Sequence, residues 1–167
     1  MRCSGLVGLA LVAQLFPASA ADDGCEKFAW SLTRERAWFA VADKTSIAAG
    51  ETLPAVPKGA FIIRLQPASQ ASFALPPERK PRSDQWFGIV RIPAVERPGI
   101  YQVTLSEEGW IDVIQDGRYA RSIGSSGRSD CIGVRKSIRL EIERKPFVLQ
   151  LSGVASDTIV VAIGPGE

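Results

Sequence analysis

Histidine is missing from this chain altogether, methionine occurs once and tyrosine twice. Without an imidazole, Ser-His-Asp and Cys-His catalysis are excluded, and so is the commonest ligand of zinc, copper and non-haem iron. An iron dioxygenase site would lack its imidazoles. No Asp-x-Asp run supplies the clustered oxygens that calcium needs. Gly124-Ser125-Ser126-Gly127 is not a Gly-x-Ser-x-Gly nucleophile elbow and reads as a flexible turn. An excess of one charge is also missing: 20 basic residues face 18 acidic ones, scattered along the chain, which argues against nucleic acid or anionic lipid as a bulk partner.

Long apolar runs are confined to the start of the chain. Arg2 precedes an uncharged stretch from Gly5 to Phe16, followed by Pro17 and the small residues Ala18-Ser19-Ala20, then Asp22 and Asp23. This is the layout of a secretory signal, and its apolar core is too short to span a bilayer of about 30 Å. Residues 1–20 are expected to be cleaved, leaving residues 21–167 as one domain with no transmembrane segment, periplasmic or secreted. Cys3 leaves with the signal.

Two cysteines then remain, Cys25 and Cys131. Only one intramolecular pairing is open to them, and the absence of a Cys-x-x-Cys motif favours a structural bridge over redox chemistry. Thiolate metal ligation is lost with it, and no metal or cofactor is expected.

The rest reads as short strands and turns. Leu32–Ala42 is the one expected helix, with Ser31 or Thr33 available as N-cap. Ala48–Lys58 is a connector interrupted by Pro54 and Pro57, and Ala60–Gln66 a strand. Pro76, Pro77 and Pro81 bracket Glu78-Arg79-Lys80 in an exposed loop. Strand character returns at Trp86–Ile92 and Ile100–Leu105, with Glu107-Glu108-Gly109 as a turn. Trp110–Ile114 and Tyr119–Ile123 flank Asp116-Gly117, the pair that favours a type I′ hairpin. Gly124–Asp130 is a polar loop. Val134, Ile138, Leu140 and Ile142 then alternate with polar residues, a period of two broken only by Lys136. Phe147, Leu149 and Leu151, then Ile159, Val161 and Ile163, repeat the alternation, with Ser152-Gly153 and Ser156-Asp157 as turn material. Such a series predicts an all-β fold, an antiparallel β-sandwich or jelly-roll-like domain with one short N-terminal helix.

Gly99-Ile-Tyr-Gln-Val-Thr-Leu, Trp110-Ile-Asp-Val, Cys131-Ile-Gly-Val-Arg-Lys-Ser and Pro146-Phe-Val-Leu-Gln-Leu-Ser-Gly together resemble a group of small exported bacterial proteins of unknown function. Residues 99–163 are also similar to the pre-peptidase C-terminal domain, a β-sandwich appended to secreted enzymes. The resemblance implies a fold and an exported setting, and it implies no chemistry.

Candidate site residues are therefore aromatic and basic. Trp86, Trp110 and Tyr119 lie on or beside strands near Arg118, Arg121 and Arg128, and the loop from Gly124 to Asp130 offers backbone N–H groups. These suit a sugar or an acidic ligand, held by stacking and forked hydrogen bonds. The competing reading places the tryptophans in the core and the arginines on solvated faces. Asp112 shares its strand face with Trp110 and Ile114. If that face is buried, the carboxylate must be paired, and a nearby Arg at a sheet edge is the expected partner. No catalytic residue is assigned. The expected function is a non-catalytic binding or accessory module for a glycan, an acidic small ligand or an envelope protein. The alternatives are a His-free carboxylate hydrolase acting on glycans and an interaction or inhibitor protein working through strand edges.

Overall fold

The computed structural model describes residues 24–80 and 82–166; the expected signal segment lies outside them. The fold is an all-β sandwich with, among the described residues, one short α-helix, 43% strand and 11% helix. In chain order the strands are β1 (Ser46–Ala48), β2 (Phe61–Arg64), β3 (Gln66–Pro67), β4 (Trp86–Ile92), β5 (Gly99–Leu105), β6 (Trp110–Gln115), β7 (Arg118–Tyr119), β8 (Ser122–Gly127), β9 (Lys136–Ile142), β10 (Phe147–Val154) and β11 (Thr158–Pro165). One sheet runs β1-β2-β11-β5-β9-β8 and the other β3-β4-β10-β6-β7. Every pairing is antiparallel except that of β1 with β2, among the ladders of the described residues.

Alternation puts one side chain in two between the sheets. Val90, Ile92, Ile111, Val113, Leu149 and Leu151 from the five-stranded sheet meet Phe61, Ile63, Val103, Leu105, Leu140 and Val161 from the six-stranded one in a single apolar core. The other faces are not left bare. A segment comprising the 3₁₀ turn Gly24–Lys27 and the helix α1 (Thr33–Ala40) lies on the outer face of the six-stranded sheet.

The sequence of that face explains the fit. Ala162, Thr104, Ser137 and Ser126 stand in one cross-strand row, and Gly164, Gln102, Arg139 and Gly124 in the next. Small side chains let large rings approach the backbone. Trp30 Nε1 donates to Ser137 Oγ at 3.0 Å while the Arg139 guanidinium sits 4.6 Å from its ring centre. A Cβ placed on Gly164 would stand 3.0 Å from the Trp38 ring. Cys25, Phe28, Leu32, Cys131 and Val134 form a second apolar cluster, separate from the core. The Cys25–Cys131 disulfide holds it, with the two Cα atoms 4.5 Å apart.

Several boundaries differ from the sequence reading for physical reasons. The helix is shorter, Thr33–Ala40, and Leu32 at its N-cap makes no side-chain cap bond. Ser122–Gly127 is an edge strand, not a loop: its pairing with β9 overrides the low strand preference of Gly and Ser. Ser152 and Gly153 belong to β10, where the register shifts between Leu151 and Val154 instead of turning. The connector after Ala48 is preceded by the short β1, and Thr52 bridges Arg91. Asp116 and Gly117 both have positive φ, 50° and 70°, as a type I′ turn requires.

Candidate functional site

The outer face of the five-stranded sheet carries polar side chains that are fully buried. Gln150 on β10 pairs in register with Asp112 on β6, and they are 0% and 2% exposed. Their cover is the segment from Phe73 to Lys80, which runs across the sheet as a strap. Phe73 stacks edge-on against Phe87 with ring centres 5.6 Å apart, a contact worth about 0.5–1.5 kcal/mol beyond the area it buries. Gln150 Oε1 accepts from the Ala74 backbone N–H at 3.0 Å and its Nε2 donates to the Leu75 carbonyl at 3.0 Å. The Tyr119 hydroxyl donates to the Pro76 carbonyl. The segment's tip at Glu78–Lys80 is exposed as expected; its base is docked, because backbone groups on it satisfy polar atoms that would otherwise be buried without partners.

Asp112 is the hub of this arrangement. Its Oδ1 accepts from Trp110 Nε1 at 2.9 Å, its Oδ2 from Gln150 Nε2 at 3.1 Å, and the Glu78 backbone N–H also donates to it. The expected arginine partner is replaced by these neutral donors. Burial raises the Asp112 carboxyl above its ordinary range, and the donors from Gln150, Trp110 and Glu78, with the nearby Lys136, only partly offset it.

Fixing the Trp110 indole and the backbone at Glu78 places the groups beside them. The Lys136 ammonium stands 4.6 Å and the Arg79 guanidinium 6.0 Å from the Trp110 ring centre. Such contacts are each worth about 0.5–2 kcal/mol. Arg79, Lys80, Arg82, Gln85, Trp110 and Ser152 surround a cleft of about 240 Å³. Arg82 is paired with Asp84, but none of Arg79, Lys80 and Lys136 forms an ion pair among the described residues. Burial lowers the Lys136 ammonium from its ordinary value; Arg79 adds to this, while Glu108 and Asp112 oppose it. A wider hollow of about 700 Å³ adjoins through Glu108, lined also by Glu107, Ser125, Ser129, Arg135 and Lys136.

Of the six residues singled out in the sequence, Trp110 stands in the cleft. Arg128 lines the second hollow, where its guanidinium holds the Asp130 carboxyl down at about 2. The Tyr119 hydroxyl anchors the strap at the Pro76 carbonyl. Trp86 is half-buried against the core, Arg118 lies beside the hairpin turn, and Arg121 pairs with Glu141 at 2.6 Å on the other sheet. The N–H groups expected to offer an anion site from the polar loop are not free as a set, since Ser125–Gly127 pair with β9 and Arg128 donates to the Arg135 carbonyl. Sequence reasoning missed Arg79, Lys80 and Lys136. The signal for Lys136 was its break in the apolar alternation of β9.

Among the described residues no group of three or more Cys, Asp or Glu side chains is placed to hold a metal ion, and no helix is long and apolar enough to cross a membrane. No protein-family model matches the chain, and comparison with curated proteins and with solved structures gives no significant match.

Proposed function

We propose that the chain is a non-catalytic binding module, periplasmic or secreted, whose site is the cleft beside Trp110 and whose ligand is anionic. The observation that carries this reading is a set of cations around a fixed indole, Arg79, Lys80 and Lys136, none of them in an ion pair among the described residues although Glu108 also lines the cleft. Like charges gathered in a partly desolvated cleft repel one another, and an anion relieves that cost. The disulfide fits an oxidising compartment. A hydrolytic role for Asp112 is disfavoured by its position, since the carboxylate is buried under the strap and both oxygens already accept hydrogen bonds.

Trp110 gives a direct readout. Glucuronate, phosphate and sulfate are titrated against the purified protein by tryptophan fluorescence and calorimetry, with glucose as the neutral control. At least one anion is expected to bind, less tightly as salt is raised, and Arg79→Gln or Lys136→Gln should each weaken it about tenfold, the size of one charge-assisted hydrogen bond. Failure of every anion to bind, or binding untouched by both substitutions, refutes the reading.

A further inference from the structure

We infer that the ligand is an acidic polysaccharide, a chain of hydroxylated sugars bearing carboxylates, bound as an extended strand across the cleft beside Trp110 and the adjoining hollow. This rests on the binding reading above and narrows it in two respects, ligand length and ligand chemistry.

Length follows from the adjacency of the two depressions at Glu108. The first, at about 240 Å³, falls below the roughly 300–1,000 Å³ of sites that enclose a whole small molecule. It has room for one residue of a longer ligand. The second is about 700 Å³ and is open, and Glu108 lines both. Lys136 lines the second while its ammonium lies over the Trp110 ring of the first. Cations line both depressions, Arg79 and Lys80 in the cleft and Arg135 in the hollow.

Chemistry follows from what stands between those cations. A surface built for phosphate groups alone would gain nothing from Glu107 and Glu108, which repel them. Both acids line the hollow beside Ser125 and Ser129. Carboxylates accept hydrogen bonds from sugar hydroxyls, and serines both donate and accept. Cations, acids and hydroxyls in one groove match a ligand that is hydroxyl-rich and acidic at once. The Trp110 ring is engaged by Lys136 and Arg79, so it seats cations for carboxylates instead of presenting a bare face to stack bases.

Calorimetry with galacturonate oligomers, from monomer to hexamer, tests the inference on the intact oxidised protein. The hexamer is expected to bind at least about tenfold tighter than the monomer as the second hollow is engaged. Arg79→Gln should weaken both, whereas Arg135→Gln and Ser125→Glu should weaken the hexamer alone, with melting temperature and disulfide retained in each variant. Equal affinity for monomer and hexamer, or hexamer binding unmoved by both hollow variants while Arg79→Gln still weakens it, overturns the polymer and leaves the anion-binding reading standing. A neutral hexasaccharide or a single-stranded oligonucleotide binding as tightly as the galacturonate hexamer overturns the ligand class. Absence of binding by every galacturonate oligomer overturns this inference, and the phosphate and sulfate titrations then decide the anion reading separately.

Discussion

Replacing Cys25 and Cys131 with Ala should loosen the molecule from one face and in a fixed order. The bridge spans 106 residues, and the chain-entropy relation for a loop of that length gives about 4.8 kcal/mol at 25 °C. At about 2–4 °C per kcal/mol for a chain of this size, the melting temperature should fall by roughly 10–19 °C. The order follows from where the bridge sits. Cys25, Phe28, Leu32, Cys131 and Val134 form a cluster outside the main core. Beyond it, the contacts that tie the segment to the sheet include Gly24 N–H to the Asp130 carbonyl, Lys27 to the Asp130 carboxylate, Ala29 N–H to Ser126 Oγ, Trp30 Nε1 to Ser137 Oγ, and Arg34 to the Pro165 carbonyl. With the bridge gone, residues 24–40 should open at a lower free energy than the central strands β5, β10 and β11, since local stability follows local buried contact. Hydrogen exchange read by mass spectrometry on the oxidised protein and the double variant checks this. Loss of protection is expected first in peptides covering 24–40, at temperatures where the central strands stay protected. Uniform loss across both sheets, or a stability change below about 1 kcal/mol, would refute the reasoning.

What could be read from the sequence was set by how local each signal is. The alternation in β9, β10 and β11 needs only neighbouring residues, so the all-β sandwich was legible, and so was the Asp116-Gly117 turn. Two cysteines admit one pairing, which made the disulfide legible as well. The outer faces were not. Gln150 in β10 and Asp112 in β6 look like solvent-facing members of their strands; only the strap, arriving from 34 to 76 residues away along the chain, makes them buried and gives them partners. Long-range cover leaves no periodic trace. The same holds for Gly164 and Ser137, whose smallness serves Trp38 and Trp30 from a segment more than a hundred residues upstream. Within the site, Trp110 could be nominated as an aromatic among basic residues, but the cations that meet it come from the strap and from β9. Lys136 announced itself as a misfit in an apolar stripe. Recognising it as a site residue required knowing that β9 begins beside Trp110.

Three further substitutions test the docked elements and the buried acid. Gly117→Val puts a β-branched residue at φ of 70° in the hairpin turn and should cost at least about 1 kcal/mol in urea unfolding. Gly164→Val brings a side chain within 3.0 Å of Trp38; exchange should quicken in α1 and leave β10 unchanged. Asp112→Asn is the sharpest of them, because it separates hydrogen bonding from ionisation. At neutral pH the new amide N–H₂ faces donors, and Gln150 cannot flip to receive it without losing Ala74 and Leu75. A loss of about 1–3 kcal/mol is expected. The pH dependence carries the sign. Burial raises the folded pKa of Asp112 above its unfolded value, so the folded state binds this proton more tightly. The stability it contributes is fully present below the unfolded value of about 3.9 and is lost as pH rises through the raised folded value. Asn does not titrate. The advantage of wild type over Asp112→Asn should therefore be largest at the acidic end of the window and shrink as pH rises through it. Asp130, held down at about 2 by Arg128, works in the opposite direction in both proteins and cancels in the difference. Urea unfolding of the pair across this range provides the measurement. A difference that is flat with pH, or that grows as pH rises, would mean that the strap does not desolvate Asp112.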